Sequence, residues 1–195
     1  MFEILYRITD NIEDLMTWNE SELDMGGDIS GFFAINVNGY HDGRYHNYPL
    51  QPGEYDWEYI TSWFLSLISV YQELTRSGYV LLSKMDSSNS WIEFRKIQDS
   101  VEINLIDAEK PNGTTNLRLT PLDKFEYGRW YIEFFKDSKH HSELVDRRNE
   151  SVKLSRFRAE LIRKASQYLE ELHEINPQIL SNRPMAELNS LIANL

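Results

Sequence analysis

Cysteine is absent from this 195-residue chain. Disulfides, zinc–thiolate centres, iron–sulfur clusters and thiol nucleophiles are therefore excluded. Long apolar runs are also missing, and no stretch reads as a bilayer-spanning helix. The first residues, MFEILYRITDNIEDL, carry acids where a secretory leader needs a basic start and an apolar centre. These absences lead to an expectation of a cytoplasmic protein without a membrane segment. No GxGxxG, P-loop, GxSxG or HExxH pattern occurs, so no diagnostic catalytic motif is present. Nothing in the sequence calls for a cofactor or a metal ion.

Basic residues are scarce in one region. Formal net charge is −11, yet residues 76–195 balance 18 acids against 18 bases. Residues 1–75 hold 13 acids and only two bases, Arg7 and Arg44. Asp10, Glu13, Asp14, Glu20, Glu22, Asp24 and Asp28 follow one another without a Lys or Arg between them. Such a segment repels phosphate backbones, which argues against nucleic acid as its partner. It attracts a basic protein and speeds the encounter, or it serves only as a solubilising surface.

With 41% hydrophobic and 13% aromatic residues, a folded core is expected. Phe2–Ile8 alternates weakly and reads as a strand. Within GFFAINV, Phe33, Ile35 and Val37 recur at period two, which predicts a second. One helical turn is expected around Ile12–Trp18. Trp57, Ile60, Phe64, Leu67, Tyr71 and Leu74 form a stripe at helical spacing, widened by Trp63, Leu65, Ile68 and Val70. Asp56 reads as its N-cap and Gly78 as its stop. Strands are then expected at Tyr79–Leu82, Trp91–Ile97 and Val101–Leu105, with turns at Gln98-Asp99-Ser100 and Pro111-Asn112-Gly113. Arg129–Phe135 is a further strand candidate. A long helix is expected after Ser155, with Phe157, Leu161, Ala165, Tyr168 or Leu169, Leu172 and Ile175 inward. Asn176-Pro177 breaks it, and Pro184 opens a short helix over Met185–Leu191. The expected class is α+β: a mainly antiparallel sheet packed by two long helices, with a short C-terminal helix. The expected organisation is one domain over 1–176 and a helical extension over 177–195.

Four clusters invite chemistry. The stretch GYHDGRYHNYPL (39–50) gathers His41, His46, Asp42, Arg44 and three tyrosines. Two turns compete there. Asp42-Gly43 would set His41 opposite Arg44 and Tyr40 opposite Tyr45, stacking the tyrosines. Asn38-Gly39 would set His41 opposite Asn36. In neither register do the histidines face each other, so a metal site would need ligands from elsewhere. His140-His141 beside Glu143 suffers likewise, because adjacent side chains point apart. Arg129 within YGRWY reads either as an anion or base site or as cation–π packing. Arg156, Arg158, Arg163 and Lys164 make the late helix basic, to face solvent, to pair with the chain's own acids or to bind an external ligand.

The succession GFFAINVNG, the aromatic helix, WIEFRK, VEINL and VKLSRFRAELIRKASQYLEEL resembles the small immunity proteins of bacterial polymorphic toxin systems. The likeness spans roughly residues 30–172 and lies in layout. Neither the arginines of the late helix nor the tail beyond Asn176 is required by it, and no binding residue transfers by position. It implies an α+β domain that binds and blocks a toxin domain. The residues expected to meet a basic partner are Asp10, Glu13, Asp14, Glu20, Glu22, Asp24 and Asp28, with Tyr40, Tyr45 and Tyr48 as aromatic contacts. Two other classes stay open: an enzyme using His41 or His46 as acid/base beside a carboxylate, and an assembly subunit whose broad apolar helix completes a partner's core.

Overall fold

In the computed structural model, residues 1–18, 28–51, 53–54, 58–84, 90–107, 119–121 and 150–195 are described. The expected Asp56 cap, the 111–113 turn, the 129–135 strand and the His140-His141 pair lie outside them. The class is α+β, with antiparallel strands and helices. The described strands form two sheets rather than one. The chain divides into two compact units: Met1–Ile68 with Arg156–Leu195, and Ser69–Ser155. The last residues thus share a unit with the first.

The first unit contains β1 (Phe2–Ile8), α1 (Ile12–Thr17), β2 (Ser30–Val37), β3 (Tyr40–Arg44) and β4 (Glu58–Tyr59). It also holds the start of α2 (Ile60–Ser77), most of α3 (Leu154–Ile175), a 3₁₀ turn (Pro177–Ser181) and α4 (Arg183–Ala193). The β2 strand is central: β1 lies on one side, β3 and β4 on the other. Register sets Phe2 opposite Val37, Ile4 opposite Ile35 and Tyr6 opposite Phe33. Period two puts all six on one face, and all six are buried. Helical side chains complete this core. Phe2 meets Phe157 at 4.7 Å, Trp63 stacks on Phe33 at 5.1 Å, and Tyr168 lies 5.3 Å from Phe64 between ring centroids. The Tyr168 hydroxyl shares a 2.8 Å hydrogen bond with Thr61 Oγ1, which also reaches Met185 Sδ at 3.3 Å. Thus α4 contributes to the core through buried Met185 and Leu188.

The 38–39 turn prevails over the 42–43 turn. Asn38 (φ 52°) and Gly39 (φ 96°) both adopt positive φ, as a two-residue hairpin with right-handed twist requires. Asn36 Oδ1 accepts from Gly39 N–H at 2.9 Å and secures it. His41 therefore faces Asn36, and Tyr40 faces Val37 rather than Tyr45. Gly43 sits inside β3 at φ 96°, where a Cβ would lie 2.2 Å from the Phe33 carbonyl oxygen. Its glycine serves a close backbone approach, not the turn.

Helix α2 begins on an unexpected support. Ile60 N–H donates to the Ile29 carbonyl at 2.9 Å. Thr61 and Ser62 N–H donate to the two oxygens of the Asp28 carboxylate at 3.0 and 2.9 Å. One dipeptide thus satisfies three orphan donors of the helix N-terminus, and its negative charge suits the dipole there. Gly78 (φ 80°) ends the helix as expected, with its N–H on the Leu74 carbonyl at 3.1 Å. Most of the apolar stripe is buried within the chain itself: Ile60, Trp63, Phe64, Leu67 and Ile68 in this unit, Val70 and Leu74 in the other, while Leu65 and Tyr71 are half-buried and Trp57 lies outside the described residues.

The described strands of the second unit form a five-stranded antiparallel sheet in the order β8 (Leu119–Pro121), β5 (Tyr79–Ser83), β6 (Ser90–Ile97), β7 (Ser100–Asp107) and β9 (Glu150–Lys153). The β6–β7 turn is Gln98-Asp99, with Gln98 at φ 56°. Val80, Ile92, Phe94, Val101, Ile103 and Val152 are buried. The charged alternation of WIEFRKI proves deceptive at Glu93, which is also buried. Its carboxylate accepts from Tyr79 Oη at 2.9 Å, Asn104 Nδ2 at 3.0 Å and Arg95 Nη2 at 3.0 Å. Three donors replace the lost water, as an internal carboxylate needs. Burial, and then the charge of Glu93, raise the Tyr79 pKa, so its hydroxyl keeps its proton.

Candidate functional site: the tyrosine-bearing hairpin and its strap

The residues singled out at 39–50 lie on β3 and on the segment that follows it. Tyr40 is 49% exposed, Tyr45 37% and Tyr48 58%. Tyr59 on β4, not anticipated from the sequence, is 41% exposed. The backbone under these rings is fixed. Tyr40 belongs to the β2–β3 ladder. Arg7 Nη1 donates to the Tyr48 carbonyl at 2.6 Å, tying the strap to β1. The Tyr48 ring lies flat on the His46 imidazole, 3.8 Å between centroids and 9° between planes. His46 in turn packs against buried Phe32 at 4.8 Å. One Tyr48 face is committed to that stack.

Glu54 organises the strap. Its Oε1 lies 2.8 Å from His46 Nε2 and 3.2 Å from Arg44 Nη2, and its Oε2 accepts from Gln51 N–H at 3.0 Å. The Gln51 N–H first, and then His46, hold the Glu54 carboxyl below its ordinary range. Arg44 also lies over the Phe32 ring, 4.9 Å from the centroid. Both bases of residues 1–75 therefore act within this one site.

The histidine–carboxylate pair meets part of what acid/base chemistry would need. The His46 side chain is only 9% exposed, however. Its Nδ1 is buried and lacks a hydrogen-bond partner among the described residues. A proton acceptor must come within hydrogen-bond reach of its substrate, and solvent does not reach this nitrogen. The geometry makes His46 a pin that seats the strap on Phe32. His41 stands exposed on β3. No group of three or more His, Asp or Glu that could hold a metal ion occurs among the described residues. None of the described helices is long and apolar enough to cross a membrane.

The early acids separate into two kinds. Glu13 and Asp14 are exposed on α1. Asp28 supports α2, as described, and also accepts from its neighbour Ile29 N–H at 2.8 Å. Asp10 Oδ2 accepts from Ser30 N–H at 2.6 Å. Glu20, Glu22 and Asp24 lie outside the described residues. Sequence spacing cannot distinguish a capping carboxylate from a steering one, because the donors arrive from distant positions. Three members of the late basic cluster meet groups of the chain itself: Arg163 Nη2 pairs with Glu160 Oε1 at 2.8 Å, Arg158 donates to the Leu195 carbonyl at 2.9 and 2.6 Å, and Lys164 Nζ lies 5.5 Å from the Tyr6 ring centroid, while Arg156 is exposed.

Asp10 yields a pH prediction. Burial raises its pKa above the ordinary 3.8, the Ser30 hydrogen bond opposes the shift, and the nearby Asp28 charge adds to it. An acid with a raised folded value favours folding when protonated. That contribution is complete below pH 3.8 and is lost as pH rises through the folded value. At neutral pH ionised Asp10 is a net cost. Asp10→Asn keeps an oxygen for Ser30 and is expected to raise neutral-pH stability, by less than about 1 kcal/mol because solvent screens the site. Urea denaturation at pH 7 and pH 4 checks it: the gain should shrink at the lower pH.

No protein-family model, no curated protein and no solved structure matches the chain, so its functional reading rests on its own residues.

Proposed function

We propose that this chain is a protein-binding module of the immunity type, an inhibitor that docks on a basic toxin domain. The observation that carries the reading is the set of exposed tyrosines, Tyr40, Tyr45 and Tyr48, on a backbone fixed by β pairing and the Glu54-centred strap. Exposed aromatic rings on rigid backbone supply contact area at low entropic cost. The acids supply the second element. Both early bases are engaged in the strap, while Glu13 and Asp14 face solvent. A net charge of −11 concentrated in the first 75 residues steers a positive partner toward them.

The test is kinetic. Basic toxin domains, including any encoded beside this chain's own gene, are passed over the immobilised protein at rising salt. One member is expected to bind, with an on-rate that falls about tenfold or more from low to high salt. Reversing Glu20, Glu22 and Asp24 to lysine should slow association, and Tyr40→Ala with Tyr48→Ala should speed dissociation. An on-rate indifferent to salt and to the reversals removes the steering role. A panel without a single binder overturns the reading.

A further inference from the structure

Strand β1 ends the first sheet on one side. Among the described residues its only strand neighbour is β2. In an antiparallel ladder, alternate residues turn their peptide groups toward the neighbour and the others turn them away. The Met1 carbonyl accepts from Asn38 N–H, and Thr9 N–H donates to the Ser30 carbonyl, so the odd-numbered residues of β1 face β2. The peptide groups of Phe2, Ile4, Tyr6 and Ile8 therefore point off the edge of the sheet. Among the described residues one of these groups is met: Ile4 N–H donates to Glu160 Oε1 of α3 at 3.1 Å. Such a row of donors and acceptors is a template for a further strand. Neither a proline nor a bulge blunts it, since FEILYRI pairs with β2 residue for residue.

The side chains select which strand fits. Glu3, Leu5 and Arg7 lie on the sheet face away from Phe2, Ile4 and Tyr6, and all three are half-buried. Glu3 and Arg7 are opposite in sign and equidistant from Leu5. Lay a second β1 antiparallel to the first, with Leu5 on the two-fold axis. Glu3 of each copy then falls opposite Arg7 of the other, and Leu5 meets Leu5. In the same register Ile4 of one copy and Tyr6 of the other exchange N–H and C=O groups, as their outward direction requires. A slide of two residues, the next that keeps outward groups paired, sets Leu5 against Glu3 or Arg7 and loses both ion pairs. The two charged groups are already held on this face. Glu3 Oε2 accepts from Asn36 Nδ2 at 2.6 Å, and Arg7 Nη1 donates to the Tyr48 carbonyl at 2.6 Å. A carboxylate and a guanidinium each have capacity for a second partner. Glu160 can release Ile4 and stay paired, because Arg163 Nη2 meets the same oxygen at 2.8 Å.

We infer that two copies of this chain associate through their β1 edges, antiparallel and centred on Leu5, so that their first sheets become one. The occupant is a second copy because the edge is complementary to itself in charge, in hydrogen-bond direction and at its apolar centre. The inference does not depend on the inhibitor reading. Strand β3, with Tyr40, lies on the other side of β2.

The test is a charge exchange on the full chain. Sedimentation velocity between about 1 and 500 µM is expected to show a monomer–dimer equilibrium, as a small interface gives. Glu3→Arg sets arginine against arginine, and Arg7→Glu sets glutamate against glutamate. Each variant alone should dimerise at least about tenfold more weakly. Mixed in equal amounts, the two should recover a heterodimer, because both ion pairs return with their signs exchanged. Leu5→Lys keeps both charged residues and sets two lysines on the axis, so it should weaken the dimer as well. In the parent chain, hydrogen exchange at the Ile4 and Tyr6 amides should slow as concentration rises, while the Leu5 and Arg7 amides, which face β2, stay unchanged. Thermal melts at low concentration separate lost pairing from lost folding. If Arg7→Glu unfolds for want of its Tyr48 contact, the exchange pattern of the parent and Leu5→Lys still decide. A chain that stays monomeric at the top of the concentration range overturns the inference. So does a dimer that the folded variants fail to weaken, or a mixture of folded variants that does not restore it.

Discussion

Gly31→Ala is expected to destabilise the first unit by roughly 3 kcal/mol or more, among the largest losses a single methyl group can cause here. Gly31 lies in β2 opposite Ile8. A Cβ there would stand 2.1 Å from the Arg7 carbonyl oxygen and 2.7 Å from Ile60 Cδ1. A flexible side-chain end can yield, but the Arg7 oxygen is backbone and bound into the sheet. Relief requires β1 to move away from β2, which loosens the pairing that keeps Ile4 and Tyr6 buried. The effect should appear as a lower urea midpoint. Gly39→Ala offers a contrast, since nothing lies within 4 Å of its would-be Cβ and only the positive φ opposes the change. If Gly31→Ala melts like the parent, the close passage of β1 over β2 is wrong.

The second large effect is expected at Asp28. Truncation to alanine removes the acceptors of Ile29, Thr61 and Ser62 N–H together. A helix cap alone is worth about 1 to 2 kcal/mol, and bonds to an ionised acceptor are stronger than neutral ones. We expect a loss of about 3 kcal/mol for Asp28→Ala and about half of that for Asp28→Asn, which keeps one acceptor oxygen but loses the charge. Hydrogen exchange should locate the damage: Thr61 and Ser62 amides should lose protection first. A charge-only role would make the two substitutions equal, and a solvent-facing role would make both silent.

Asp28 also shows where sequence reading stops. In composition it belongs to the acidic run that suggests a partner surface. Its donors stand more than thirty positions away, at Thr61 and Ser62, and no local pattern announces them. The period of Phe33, Ile35 and Val37 is local, as is the stripe of α3, so both elements were legible. Gly78 was legible as well, because a helix stop is set by nearby dihedrals. The hairpin was only half legible. Asn38-Gly39 and Asp42-Gly43 each satisfy turn chemistry, and the choice between them depends on close contacts to Phe33 across the strand. That the strands form two sheets was not legible, since period two identifies a strand's faces but not its neighbours. Of the candidate site, the tyrosines were legible as candidate aromatic contacts because they cluster within twelve residues around turn signals. The joining of His46 to Glu54 across the strap did not, because it depends on where the chain returns after Pro49. Glu93 marks the opposite error: alternation placed its charge on an exposed sheet face, and the fold buried it against Tyr79, Asn104 and Arg95.

The arrangement of the first unit has a consequence for biosynthesis. Its sheet comes from residues before Ile68, and its closing helices from residues after Arg156. During translation, the second unit's strands have all left the ribosome while Phe2, Tyr6 and Phe64 still await Phe157 and Tyr168. Closing so long an interval adds little free energy, since that cost grows only with the logarithm of length, but it delays completion. Nascent chains stalled before residue 156 are therefore expected to expose the greasy side of β1 and β2 to chaperones, and limited proteolysis of such chains should cut there first.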